Sequence, residues 1–117
     1  LNWKKISEIL KNDLSDSELG SIVTFNWYYS GQLNTAFKFK YDIGVIGNND
    51  HHFRYIGNWE KPYLVLVDIK LLNEVNHKFV DDKLADLGYK TLTIRSIPFS
   101  RGHSVYGNVE IYKIKKR

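Results

Sequence analysis

The stretch 63–70, YLVLVDIK, constrains this chain more than any other. Its residues are apolar on both alternating sides, and a strand with two apolar faces has to be covered on both. It therefore belongs in the middle of a sheet, and only its end turns polar, at Asp68 and Lys70. With 117 residues the chain has the size of one domain, so a single unit over 1–117 is expected. The fold class that follows is α/β, a small mixed β-sheet with flanking helices.

Hydrophobic spacing supplies the neighbours. Residues 2–11 read as an amphipathic helix, with Trp3, Ile6, Ile9 and Leu10 in one stripe. The connection 12–20 is polar, and Ser15 followed by Glu18 has the spacing of a capping box for one further turn. Residues 22–29 alternate as a strand, Ser30-Gly31 marks a turn, and 34–46 alternates again, so the two are expected to pair as a hairpin. In the second strand Phe37, Phe39, Tyr41, Ile43 and Val45 share one face, while Lys38, Lys40 and Asp42 share the other. The polar stretch 47–62 leaves room for a short strand at 53–56. Residues 71–87 carry Leu72, Val75, Phe79, Val80, Leu84 and Leu87 at helical spacing, and Gly88 suits the position just past a helix end. A strand at 89–97 should run parallel to the one at 63–70 through a right-handed crossover. A turn at 98–104 with Arg101 and His103 then leads to a last strand at 105–114. That strand closes a hairpin and ends in a basic tail of Lys113, Lys115, Lys116 and Arg117.

Composition excludes several classes of function. A hydrophobic fraction of 43% and an aromatic fraction of 15% exclude a disordered chain. The absence of cysteine removes disulfides, a thiol nucleophile and any thiolate zinc site. No apolar run is long enough to span a bilayer, and LNWKKISEIL lacks a signal peptide's apolar core, so a cytoplasmic location without a membrane partner is expected. Gly44-Val45-Ile46-Gly47 and Gly57-Asn58 form neither a P-loop nor a dinucleotide fingerprint. Lys and Arg outnumber Asp and Glu by 17 to 13, and the net charge of +4 favours anionic partners.

The order helix, strand, strand, strand, helix, strand, together with Asp42 in KYDIGVI and Asp68-Ile69-Lys70 in VLVDIK, resembles the PD-(D/E)xK nuclease superfamily. That superfamily includes many restriction enzymes and DNA-repair or recombination nucleases. The resemblance implies an αβββαβ core, here followed by a C-terminal hairpin. It also implies Asp42, Asp68 and Lys70 as catalytic residues, with Glu8 on the first helix and Glu18 as a poorer candidate. Tyr41 stands where the family has proline, and Asp68 where Glu is more common. The implied cofactor is Mg²⁺ or Mn²⁺ on Asp42 and Asp68, and the implied reaction is phosphodiester hydrolysis in nucleic acid, DNA before RNA.

The chemistry is sound by itself. Asp68 and Lys70 are two apart in a strand and leave the same face. Two carboxylates suit a hard cation that keeps several waters, and lysine can offset charge developing on a phosphoryl group. Lys38, Lys40, Arg95, Arg101, Lys113, Lys115 and Lys116 are the candidate backbone-phosphate contacts. A chain this small offers little wall around a duplex, so a homodimer is the expected assembly. The alternative is a non-catalytic nucleic-acid-binding or protein-interaction module, in which Asp68 and Lys70 mark a buried strand emerging into solvent. Two lesser candidates are a metal loop at Asp50, His51 and His52, and base stacking by Trp27, Tyr28 and Tyr29 at the open end of the first hairpin.

Overall fold

The computed structural model describes residues 2–46, 63–71, 77–101 and 104–117. Helix α1 (Trp3–Asp13) starts at the Asn2 side chain, which accepts from the Lys5 N–H. The one-turn α2 (Asp16–Leu19) carries the expected capping box, with Ser15 and Glu18 bonded to each other's backbone N–H. Then follow β1 (Ile22–Thr24), α3 (Trp27–Ala36), β2 (Gly44–Val45), β3 (Leu64–Leu71), α4 (His77–Asp86), β4 (Tyr89–Arg101) and β5 (Ser104–Lys116).

The strands form one mixed sheet in the order β2-β1-β3-β5-β4. β1 is parallel to both β2 and β3, whereas β5 is antiparallel to both β3 and β4. β3 is thus interior, as its sequence requires, and Val65, Leu66 and Val67 are almost completely buried. Fully burying a side chain of this kind contributes about 1.5–3 kcal/mol, so these three alone strongly favour the central position. On one face Ile22, Val65, Val67, Val109 and Ile111 pack with Ile6 and Leu10 of α1 and with Leu33 and Phe37 near α3. On the other, Val23, Leu66, Tyr112 and Ile114 pack against Val80 and Leu84 of α4. β3 and β4 are parallel with β5 between them, which fulfils the expected parallel strand–helix–strand unit.

The first half corrects the sequence reading. There is no hairpin between 22–29 and 34–46: β1 stops at Thr24, and α3 occupies 27–36 where the first strand's end and the turn were expected. Asn26 caps that helix by accepting from the N–H groups of Tyr28 and Tyr29. The buried positions Ser30, Leu33 and Phe37 follow helical spacing, not the alternation of the aromatic residues. Because β1 and β2 are parallel, the chain has to cross over between them, and α3 is the crossover. Side chains reinforce the two-residue β2: the Ser30 hydroxyl donates to the Gly44 carbonyl, and the Asn34 amide both donates to and accepts from the Ile43 backbone. The αβββαβ order is therefore replaced by one with an extra helix between the first two strands.

Smaller differences follow. β3 extends to Leu71, and the helix expected over 71–87 is seen from His77; Val80 and Leu84 are buried as expected, but Phe79 is exposed. Gly88 takes the positive φ of 89° foreseen for it. The expected turn at 98–104 is mostly strand, since β4 runs to Arg101 and β5 starts at Ser104. Asp50, His51, His52, the 53–56 strand, Gly47, Gly57, Asn58, Leu72, Val75, Gly102, His103 and the Arg101 side chain lie outside the described residues.

Candidate functional site

Asp68 and Lys70 stand on the α4 face of β3, close to its carboxyl end, with Lys70 Nζ 3.0 Å from Asp68 Oδ2. Both side chains keep only 15% of their exposure. The other Asp68 oxygen accepts from the Ile69 N–H. Strand register then brings in a residue that the sequence reading did not single out, because Glu110 of β5 lies directly across from Asp68. Glu110 is buried, faces Ser96 of β4 across the next pair, and accepts a hydrogen bond from the Ser96 hydroxyl. Opposed residues of an antiparallel pair have Cβ atoms about 5 Å apart, so two carboxylates and one lysine share a small patch. Burial, together with the negative charge of Glu110, Asp68 and Asp81, pushes the neighbouring Tyr112 phenol up. Phe79, in the first turn of α4, has its ring 5.9 Å from Lys70 Nζ.

The topology gives this position weight. From β1 the chain leaves through α3 to one face and toward one edge of the sheet. From β3 it leaves through α4 to the other face and toward the other edge. Adjacent parallel strands whose connections diverge in this way create a crevice beyond their carboxyl ends, where open α/β sheets bind ligands. Asp68 and Lys70 lie at that end of β3.

The structure does not bring Asp42 to them. Gly44 pairs with Val23, and Val23 with Leu66, so Asp42 lies two residues before this level and Asp68 two beyond it. Four residues of strand rise are about 13 Å, and two strand spacings of about 4.8 Å are added across the sheet. Glu8 is exposed on α1, whose packing is against the opposite face. Among the described residues no group of three or more His, Asp or Glu side chains is arranged to hold a metal. By strand register, Asp68 and Glu110 form a two-carboxylate pair. Glu110 carried a signal in the sequence, as an acidic residue set between the apolar Val109 and Ile111.

The basic candidates are elsewhere. Lys38 and Lys40 follow the carboxyl end of α3, and Lys115 and Lys116 end β5; all four are exposed and lie toward the amino ends of the parallel strands. Trp27 and Tyr28, expected at a hairpin end, are exposed in the first turn of α3, while Tyr29 packs on Trp3. Arg95 and Lys113 are on the α1 face, bound to Asp13 at 2.6 Å and to Glu18 at 3.1 Å. These two pairs border a cleft of about 280 Å³ whose charges answer one another.

Glu18 is the anchor of that cleft. Its carboxyl is held at about 2, first by the Ser15 backbone N–H and further by Lys113 and Tyr63, against an opposing effect of burial. A carboxyl lowered by folding stabilises the native state above its unfolded value of 4.5, and that stabilisation is lost as the pH falls through about 2. Glu18→Gln should therefore lower stability at neutral pH by an amount on the order of 2 kcal/mol, discounted for the solvent that still reaches the group. The gap between wild type and variant should close between pH 4.5 and about 2. Urea midpoints measured across that range check this, and a gap constant with pH would count against it.

No protein-family model, curated protein or solved structure matches this chain.

Proposed function

We propose that the chain is a divalent-metal-dependent nuclease whose centre is Asp68, Lys70 and Glu110, with Glu110 in the role first assigned to Asp42. The observation that carries the proposal is the register that sets Glu110 opposite Asp68 beside Lys70. The donor set suits Mg²⁺ or Mn²⁺, because both carboxylates offer hard oxygens and Mg²⁺ binds through one or two of them while keeping its waters. When bound, such an ion supplies polarisation of a phosphoryl oxygen and a more acidic water. The chain's own groups do the rest. Lys70, held at 3.0 Å from Asp68, offsets negative charge that develops on the phosphate. Ser96 fixes the orientation of Glu110, and the exposed ring of Phe79 beside Lys70 screens one side of the patch.

The test is single-turnover cleavage of labelled single-stranded and duplex DNA and RNA with Mg²⁺, Mn²⁺ or EDTA. Asp68→Asn and Glu110→Gln are each expected to reduce cleavage by about 100-fold or more and to weaken metal binding in calorimetry, as loss of a preorganised charged group does. Asp42→Asn should leave both unchanged. Wild-type protein that cleaves none of these substrates, or an Asp42→Asn variant as impaired as Asp68→Asn, would sink the assignment. A second reading, a non-catalytic nucleic-acid-binding module, draws on the exposed lysines at the opposite end of the sheet. Salt-sensitive binding without cleavage would favour it.

A further inference from the structure

The turn that ends α3 carries more strain than a helix end needs. Lys38 and Phe39 both have positive φ, 55° and 58°, a region that L side chains other than Asn and Asp rarely enter. The closing bonds are those of a common helix stop: the Phe39 N–H donates to the Asn34 carbonyl, and the Lys38 N–H to that of Thr35. At such a stop glycine usually occupies the first of these positions, and an apolar side chain at the second usually packs back on the helix. Here the first is lysine and the second is a phenylalanine that is 75% exposed. Neither local conformational preference nor burial accounts for Phe39. Strained backbone held in place by its surroundings is characteristic of contact sites.

We propose that Lys38-Phe39-Lys40 is a docking corner for single-stranded nucleic acid, in which a base stacks on Phe39 and the flanking lysines meet phosphates. This rests on nucleic acid being the chain's substrate and adds a second contact point, at the end of the sheet remote from Asp68. Charge complementarity selects the partner: Lys38 is exposed, and Lys40 is 68% exposed, with its Nζ 3.9 Å from the still more exposed Asp16 and 5.3 Å from the centre of the Tyr41 ring. So loose a surface pair yields readily to phosphate. Lys11 adds a third cation nearby, with its Nζ 5.7 Å from the centre of the Phe37 ring. An aromatic face between lysines is the general means of holding single strands without reading their sequence.

The test is fluorescence anisotropy of the protein with a labelled oligothymidylate and with a duplex, in EDTA, beside urea unfolding. Phe39→Gly is the informative variant because its two expected effects have opposite sign. Removing the side chain should weaken single-strand binding by about 10-fold. Relieving the left-handed conformation should raise the unfolding midpoint. Phe39→Leu should weaken binding similarly without that gain. Phe39→Gly binding like wild type, or wild type that binds duplex only, overturns the corner; a gain in stability alone would leave Phe39 open to a protein partner instead. The outcomes separate from those of the nuclease proposal. Phe39-dependent binding without cleavage fells the catalytic assignment, and cleavage with Phe39-independent binding fells this one.

Discussion

Lys70→Met is expected to lower the stability of the domain by about 3 kcal/mol, more than any loss of a surface ion pair could explain. The reason lies in what the ammonium holds together. Asp68 and Glu110 face each other across adjacent strands, one with 15% side-chain exposure and the other nearly buried. Lys70, at 3.0 Å from Asp68, is the cation paired with that group. Methionine keeps the length and apolar stem of lysine but leaves the poorly solvated Asp68 carboxylate without its counter-charge, across from buried Glu110. The double variant Lys70→Met/Asp68→Leu should recover at least half of the loss, since replacing both partners by apolar groups removes the desolvated charge as well. Urea unfolding of the two variants and of Asp68→Leu alone completes the cycle. A cost of about 0.5 kcal/mol or less for Lys70→Met would mean that the pair behaves as an exposed one, and the patch would lose its claim to be preorganised.

Gly107→Ala should be comparably damaging, by about 3 kcal/mol, for a steric reason. Gly107 of β5 is paired with Leu71 of β3, and a Cβ there would overlap the Lys70 carbonyl oxygen. It would also meet Leu71 Cα and Phe99 Cζ at 3.2 Å. The first two are backbone atoms of an interior strand, which cannot step aside like the tip of a flexible side chain. The strands must part at that point, and the residue whose backbone moves is Lys70. If the proposed nuclease centre is right, the variant should lose cleavage beyond its loss of stability, although no charge has been altered. Chemical denaturation reports the first effect, and cleavage assayed well below the unfolding midpoint reports the second. A Gly107→Ala protein as stable and as active as wild type would show that the strands are more widely spaced at this end.

The sequence revealed those parts whose pattern has one physical solution. YLVLVDIK could only be an interior strand, Ser15 with Glu18 made the capping box they spell, and Gly88 adopted the conformation that glycine makes easy. Residues 22–46 misled because two periods overlap there. Val23, Phe25, Trp27 and Tyr29 alternate like a strand, but the helix is decided by Asn26 as a cap and by Ser30, Leu33 and Phe37 as its buried side. One of those three is a polar residue, so the apolar stripe looks broken unless the Ser30 bond to Gly44 is known. Asp68 and Lys70 were legible as a pair because two residues of one strand fix their relation. Glu110 was not. Its place beside Asp68 depends on β5 inserting between β3 and β4, a non-local pairing that alternation within either strand does not reveal.

The two-residue β2 has a consequence for how the molecule breathes. β3, β5 and β4 are joined by long antiparallel ladders, whereas β2 contributes two register pairs, flanked by the Ile46 N–H bond to the Thr24 carbonyl and by the Ser30 and Asn34 side chains. Sub-global opening follows the weakest cooperative unit, so amide protons of β2 and the end of α3 exchange through a cheaper fluctuation than those of β3 and β5. Among the described residues, the Phe39 corner lies beside the more weakly paired β2, and Asp68 with Glu110 lie in the long β3–β5 ladder. A strand of nucleic acid held at Phe39 would therefore tighten the weakly paired β2 region, while the carboxylate pair keeps its geometry through the same fluctuation.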